Sequence, residues 1–304
     1  MPHLIITLLF LILIYLLVLL NKTFNRSKKK NIMRSKDMRG VDYGIFKQDV
    51  DWLESMDQSE LIIQSKDGLK LHACLIENKK SSFCVILCHG YSANRNSMAV
   101  FARYYYETFG ASVCLIDARA HGLSEGNVIG FGYHDRMDLQ LWIQTIKEIL
   151  GSNNPIILHG VSMGASTLLY ASIDGFDSNV KGIICDSAFI DLKPIFIRQM
   201  KLIYNLPAFP FFYIVELYMK YWVKIPFSKT NILKQKDKLL TPCLIIHGTL
   251  DRFVPYDMAI ELNEVYPVYH EFLSVENAKH ALSYSVDSNS YKEYLSHFIQ
   301  TILN

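Results

Sequence analysis

The residues of this chain best suited to chemistry are a serine, an aspartate and a histidine that recur in that order. Gly160-Val161-Ser162-Met163-Gly164 follows directly on the apolar run Pro155–Leu158 and opens a stretch with helical spacing. A serine held at a sharp strand-to-helix turn presents its hydroxyl for nucleophilic attack, and glycines two before and two after it, Gly160 and Gly164, let strand and helix approach. At such a turn the backbone N–H of Met163 points at the oxygen that becomes negative during acyl transfer, and the helix N-terminus adds positive potential.

A serine hydroxyl is a poor nucleophile at neutral pH and needs a base. His280, in Asn277-Ala278-Lys279-His280-Ala281, follows the last strand-like run, Glu271–Val275, which puts it in a loop at that strand's carboxyl end. His89, His159 and His247 each close an apolar strand just before a glycine, a position that suits structural hydrogen bonding. Asp251 lies in a turn-rich loop after the apolar run Cys243–Ile246 and would hold the imidazole's tautomer; Asp186 and Asp191, after the preceding strand, are the rival acids. In His89-Gly90-Tyr91-Ser92-Ala93-Asn94-Arg95 the backbone N–H of Tyr91 is the candidate second oxyanion donor, with Gly90 permitting close approach. Asp117, Arg119 and His121, in the block Asp117–Ser124, are expected to form a buried ion pair or hydrogen-bond network shaping the floor of the site.

These loops need a scaffold. Leu61–Ile63 and Leu69–Ile76 read as two strands joined by Ser65-Lys66-Asp67-Gly68, a hairpin signature. The runs Phe83–Cys88, Ser112–Ile116, Ile156–Leu158, Gly182–Cys185 and Cys243–Ile246 are almost wholly apolar, as strands buried on both faces are. Helix-length stretches alternate with them, among them Asp135–Leu150 with Leu139, Trp142, Ile143, Ile146 and Ile149 at helical spacing. The alternation predicts a mainly parallel sheet with helices on both faces, whose ligands bind beyond the strands' carboxyl ends. An aromatic-rich insertion, about residues 189–238, breaks the rhythm and is expected to form a helical cap over the site.

Half of the 304 residues are apolar and the formal charge is only +2, without a basic face in the body of the chain, which argues against nucleic acid as a partner. Residues 4–20 carry no charge and are followed by Lys22, Arg26, Lys28, Lys29, Lys30, Arg34, Lys36 and Arg39. This predicts a single-pass transmembrane anchor at 4–20 and a basic linker and leader at 21–59, with the domain from residue 60 onward on the cytoplasmic side. The six cysteines show no zinc-site spacing, and five of them fall in or beside strand-like runs as buried thiols would.

Taken together and in order, His89-Gly90-Tyr91 with Asn94, Gly160-Val161-Ser162-Met163-Gly164-Ala165, His247-Gly248 with Asp251 and Val254-Pro255, and Ala278-Lys279-His280 resemble the α/β-hydrolase superfamily. Within it they are most similar to the branch of serine aminopeptidase-like (S33) and bacterial membrane-attached hydrolases, over roughly residues 60–304. The resemblance implies the α/β-hydrolase fold, Ser162, Asp251 and His280 as a triad, and the Tyr91 and Met163 amides as oxyanion hole. Ala120 departs from the family pattern, which usually has glycine in an Asp-x-Arg-Gly-His-Gly-x-Ser block.

The expectation is a membrane-anchored serine hydrolase that cleaves carboxylic esters through an acyl-enzyme, with a small ester or a lipid-like ester as substrate. Such a reaction calls for no metal and no organic cofactor. Two alternatives stand beside it: an S33-type peptidase acting on short peptides, and a non-catalytic membrane-tethered binding protein on the same fold.

Overall fold

The computed structural model describes residues 2–26 and 43–304; for residues 2–13, Thr7 apart, and 43–46 it describes the backbone. Consecutive residues of the apolar strands bury in opposite directions, and both directions are core: Val85 and Leu87 join one cluster, Ile86 and Cys88 the other. That two-sided burial selects a sheet sandwiched between helices.

The strands are β1 (Ser59–Gln64), β2 (Lys70–Ile76), β3 (Cys84–Cys88), β4 (Ser112–Ile116), β5 (Ile156–Val161), β6 (Val180–Asp186), β7 (Cys243–Gly248) and β8 (His270–Val275). They form one sheet in the order β1-β2-β4-β3-β5-β6-β7-β8. β1 and β2 pair antiparallel through the expected hairpin, β2 meets β4 antiparallel, and β4 through β8 are parallel. The chain leaves β3 toward β4 on one side and later returns to β5 on the other. This reversal leaves a crevice at the carboxyl ends of β3 and β5, where Cys88 pairs in register with Gly160.

On one face lie α4 (Asp135–Leu150), α5 (Met163–Asp174) and α8 (Asp257–Val265), with Leu139, Trp142, Leu168 and Leu262 in the core. On the other lie α3 (Ala99–Phe109) and α10 (Ser288–Leu303), with Phe101, Tyr105, Tyr291 and Phe298. Between β6 and β7 the chain carries α6 (Leu192–Tyr204), α7 (Phe211–Tyr218), a π turn (Met219–Val223) and two 3-10 turns. The six cysteines are all free and buried.

The N-terminal helix α1 spans Pro2–Phe24. Among the described residues no helix is long and apolar enough to cross a membrane, and the side chains of most of the anchor expected at 4–20 lie outside them. The described end of α1 departs from the expected layout. Residues 21–26 are not a linker: Leu16, Leu20 and Phe24, one turn apart, are buried, and Phe24 packs between Phe131, Phe196 and Tyr218 at ring distances of 5.2–5.3 Å. Arg26, expected in a basic collar, donates to the carbonyls of Ser124 and Gly122 at 2.6 Å. Residues 27–42, with the rest of that collar, lie outside the described residues.

The expected leader also contains a helix, α2 (Tyr43–Ser55), which buries Leu53 and sets Asp49 against Arg103 of α3 at 3.5 Å. Its six apolar residues are interleaved with Lys47, Asp49, Asp51 and Glu54, so a single buried helical stripe does not stand out in the sequence.

Candidate active site

The polypeptide turns from β5 into α5 at Ser162, whose φ of 55° and ψ of −114° lie where a side chain is strained. Packing holds it there. A Cβ on Gly160 would come within 2.4 Å of Gly164, and one on Gly164 within 2.0 Å of the Cys88 carbonyl. The Ser162 N–H donates to the Asp186 carbonyl at 2.8 Å, and the Ser162 carbonyl accepts from Ser166 N–H at 3.0 Å, starting α5.

Ser162 Oγ stands 2.8 Å from His280 Nε2, and His280 Nδ1 stands 2.7 Å from Asp251 Oδ2. A carboxylate at Nδ1 fixes the proton there and leaves Nε2 to accept from the serine. The other oxygen, Asp251 Oδ1, accepts the N–H groups of Phe253 and Val254 at 2.8 Å each. His247 Nε2 lies 3.2 Å from Asp251 Oδ2 and 3.0 Å from the Val254 carbonyl, so it faces two acceptors and carries a hydrogen. Burial by itself would raise Asp251, but His280 and the hydrogen bonds from His247 and His280 outweigh it and hold the carboxyl well below the usual carboxylate range. Asp251 is therefore an anion, fully partnered, where an imidazolium would form.

The loops carrying Asp251 and His280 are stitched to each other. A Cβ on Gly248 would meet the Ala278 carbonyl at 2.4 Å, and that carbonyl accepts the Leu250 N–H at 2.9 Å. The Thr249 hydroxyl accepts the Asn277 N–H at 3.0 Å. Phe253 lies against the His280 ring, with centroids 4.8 Å apart.

The rival acids are placed elsewhere. Asp186 accepts from the hydroxyls of Ser187 and Tyr291 at 2.8 and 3.1 Å, and burial raises its carboxyl. Asp191 caps α6 at the Lys193 N–H and accepts from Thr230 and Asn231. Both have structural roles, and neither faces the His280 ring nitrogens.

On the opposite side of the serine, a Cβ on Gly90 would lie 3.4 Å from Ser162 Cβ, so the Gly90–Tyr91 loop rests directly against Ser162. Two histidines hold that loop. His89 Nδ1 donates to the Gly90 carbonyl at 2.8 Å while its Nε2 accepts the Ala118 N–H at 3.1 Å. His121 Nδ1 donates to the Arg119 carbonyl at 2.9 Å while its Nε2 accepts the Ser92 N–H at 3.2 Å. Each ring acts as donor at one nitrogen and acceptor at the other, which requires it neutral, and burial lowers the His89 pKa accordingly. Met163 opens α5, so its N–H is one of the helix's unpaired N-terminal donors.

The expected network at Asp117, Arg119 and His121 is present with different partners. Arg119 pairs with Asp138 at 2.7 Å and with Asp67 at 3.0 Å, not with Asp117. Asp117 instead accepts the N–H groups of Arg95 and Leu123 at 2.9 and 3.0 Å. Ala120 adopts φ 59°, a left-handed conformation that glycine takes without strain.

What the sequence reading missed is the contribution of the N-terminal helix. The Tyr91 hydroxyl donates to the Thr23 carbonyl at 2.6 Å, and Phe131 stacks on Tyr91 at 5.5 Å and contacts Phe24 at 5.3 Å. The cap is tied to the acid loop by α6, where Arg198 and Gln199 donate to the carbonyls of Arg252 and Phe253 at 2.6 and 2.9 Å. Ser162 and His280 are both buried beneath this assembly. Among the described residues no cluster of histidine, cysteine and acidic side chains is arranged to hold a metal ion.

Comparison with known proteins gives three levels of similarity. Residues 79–229 match the family described as serine aminopeptidase, S33. A protein of Bacillus subtilis, the uncharacterized YqkD, is 26% identical over 253 residues, covering 82% of this chain and 81% of that one. The uncharacterized membrane protein YNL320W of Saccharomyces cerevisiae is 23% identical over 167 residues, 55% of this chain and 52% of its own. Among solved structures, the Pyrococcus furiosus esterase Pf2001 superposes with a TM-score of 0.67 at 24% identity, over 82% of this chain and 92% of that one.

Proposed function

We propose that this chain, which is similar to the serine aminopeptidase S33 family over residues 79–229, is a serine hydrolase that cleaves carboxylic esters by two-step acyl transfer. Ser162 is the nucleophile, His280 the general base and Asp251 the acid that orients it. The observation that carries this reading is the continuous relay from Ser162 Oγ to His280 Nε2 at 2.8 Å and from His280 Nδ1 to Asp251 Oδ2 at 2.7 Å.

As Ser162 Oγ bonds to the ester carbonyl carbon, its proton passes to His280 Nε2, and the imidazolium faces the Asp251 carboxylate. The carbonyl oxygen becomes an oxyanion held by the N–H groups of Met163 and Tyr91. Collapse breaks the bond to the alcohol, which leaves with the His280 proton. Water then attacks the acyl-serine, gives its proton to His280, and the second collapse returns that proton to Ser162.

The substrate we propose is a hydrophobic, lipid-like acyl ester presented at a membrane, with α1 as a single-pass anchor and the catalytic domain on the cytoplasmic side. The uncharged run of residues 4–20 and the basic residues that follow it support the anchor and its orientation. Tyr91, next to Gly90 in the loop against Ser162, stacks on Phe131, which contacts Phe24 and Phe196, and such an apolar wall suits an acyl chain. The yeast relative is named as a membrane protein, which supports attachment to a membrane.

The test is labelling of the full chain with a fluorophosphonate, beside Ser162→Ala, and turnover of p-nitrophenyl esters of rising chain length. Labelling confined to the native serine, with activity rising beyond acetate, is expected. An unlabelled but folded protein would sink the esterase reading, and activity restricted to acetate would sink the lipid-like one.

A further inference from the structure

The cap turns an unusual surface outward. Helix α7 buries Phe212 and Val215, and the following turn buries Met219 and Val223, yet Phe209 just before the helix, Tyr213 and Leu217 on it, and Tyr221 in the turn are exposed at intervals of four residues. Each of these four, and Trp222 beside them, is more than half exposed. Leu202 and Ile203 at the end of α6 are exposed as well. A helix that is apolar on both sides belongs inside a protein or against lipid, not in water.

This concentration is not scatter. Of eighteen exposed large hydrophobic residues among the described residues, seven lie on the cap and four more, Ile14, Tyr15, Leu17 and Val18, lie on α1. The two segments are joined: Thr23 and Tyr204 hydroxyls meet at 2.8 Å, and Phe24 lies 5.2 Å from Tyr218. The outward residues of the cap therefore continue from the end of the helix read as the anchor.

The charges around the stripe are predominantly positive. Between Leu192 and Lys224 the basic residues Lys193, Arg198, Lys201, Lys220 and Lys224 face a single acid, Glu216, although the whole chain carries only +2. The Lys220 ammonium sits 5.1 Å from the Tyr221 ring. Tyrosine and tryptophan with lysine around an aliphatic stripe is the composition of elements that lie in the headgroup region of a bilayer.

We propose that the α6–α7 face of the cap is a second membrane contact, seated in the interface of a bilayer rich in anionic phospholipid and continuous with α1. It rests on the membrane-attached reading of the active site and deepens it: the cap is held flat on the bilayer, with its lysines at the phosphates and Tyr213, Leu217, Tyr221 and Trp222 below them. The cap over Ser162 then lies against the surface that supplies its substrate.

The experiment uses the full chain reconstituted into phosphatidylcholine vesicles with and without phosphatidylglycerol. The native cysteines are buried, so Leu217→Cys can be labelled selectively with an environment-sensitive fluorophore, and Ile149→Cys, exposed at the end of α4, serves as the reference. Blue-shifted emission and quenching by nitroxide lipids at position 217, stronger with phosphatidylglycerol and absent at 149, is expected. A probe at 217 that remains in water while the protein floats with the vesicles would overturn the proposal and leave the anchor intact. A probe protected without vesicles, with doubled mass by light scattering, would assign the face to a second copy and overturn it too. Failure to float with vesicles would remove the anchor and this contact together, while turnover of soluble p-nitrophenyl acetate reports the esterase reading separately.

Discussion

Tyr91 donates its phenol hydrogen to the carbonyl of Thr23 at 2.6 Å, which fastens the loop beside Ser162 to the last turn of the N-terminal helix. A segment whose sequence reads as an anchor is thereby part of the active-site wall. Tyr91→Phe removes that bond while keeping the ring stacked on Phe131. A neutral hydrogen bond contributes about 0.5–1.5 kcal/mol, so a loss of stability in that range is expected, and kcat on a p-nitrophenyl ester is expected to fall by roughly two- to tenfold as the loop loosens. Unchanged kcat would show that the loop holds its position without the helix.

The same contact surface predicts a stability effect. Phe24 is fully buried among three aromatic rings, and truncating such a side chain costs about 3–5 kcal/mol. Phe24→Ala should lower the unfolding midpoint of the whole catalytic domain, measured by denaturant titration of detergent-solubilised protein. Loss of less than about 1 kcal/mol would mean that α1 is only loosely docked.

Asp251→Asn keeps the shape of the acid and an oxygen for the Phe253 and Val254 amides, but its amide cannot hold the Nδ1–H tautomer of His280. A drop in kcat of roughly three to four orders of magnitude is expected, with fluorophosphonate labelling slowed in parallel and folding retained. Activity within tenfold of the native protein would return the role to another carboxylate.

Ala120 occupies a left-handed conformation, φ 59°, inside a buried loop. Glycine there relieves about 1–2 kcal/mol of backbone strain but gives up a buried methyl of about 0.8 kcal/mol and adds freedom to the unfolded chain. Ala120→Gly should thus change stability by less than about 1 kcal/mol, whereas Ala120→Val, β-branched at positive φ, should cost roughly 3 kcal/mol. Equal effects of the two in urea unfolding would contradict the conformation.

Burial pushes the His159 imidazole, bonded to the hydroxyls of Tyr105 and Tyr291 at 2.9 and 3.2 Å, down from 6.5 to about 3. The unfolded chain takes up a proton at this residue below pH 6.5 while the folded one stays neutral, so stability is complete above 6.5 and is lost as pH falls toward 3. The slope from one such group approaches about 1.4 kcal/mol per pH unit. Urea unfolding at pH 7.5, 6 and 5 should show that slope in the native protein and a shallower one in His159→Gln.

Much of this architecture is legible from residue order. Alternating burial in runs such as Phe83–Cys88 requires a sheet covered on both faces, and Gly160 and Gly164 mark a turn that tolerates no Cβ. The helix α2 and the docking of residues 20–26 were not legible. The apolar residues of α2 are interleaved with four charged ones, and Leu16, Leu20 and Phe24 have the same spacing whether they face lipid or protein.

By itself the sequence determined the strand and helix rhythm, the turn at Ser162 and the order in which serine, aspartate and histidine loops leave the sheet, because these depend on neighbours along the chain. Only the tertiary structure decided which acid meets His280, that Asp186 and Asp191 are committed to other partners, and that Tyr91 is fastened to Thr23. Those choices depend on side chains brought within about 3 Å of one another from distant segments, and residue types along a chain do not encode which of several equivalent carboxylates the packing will deliver.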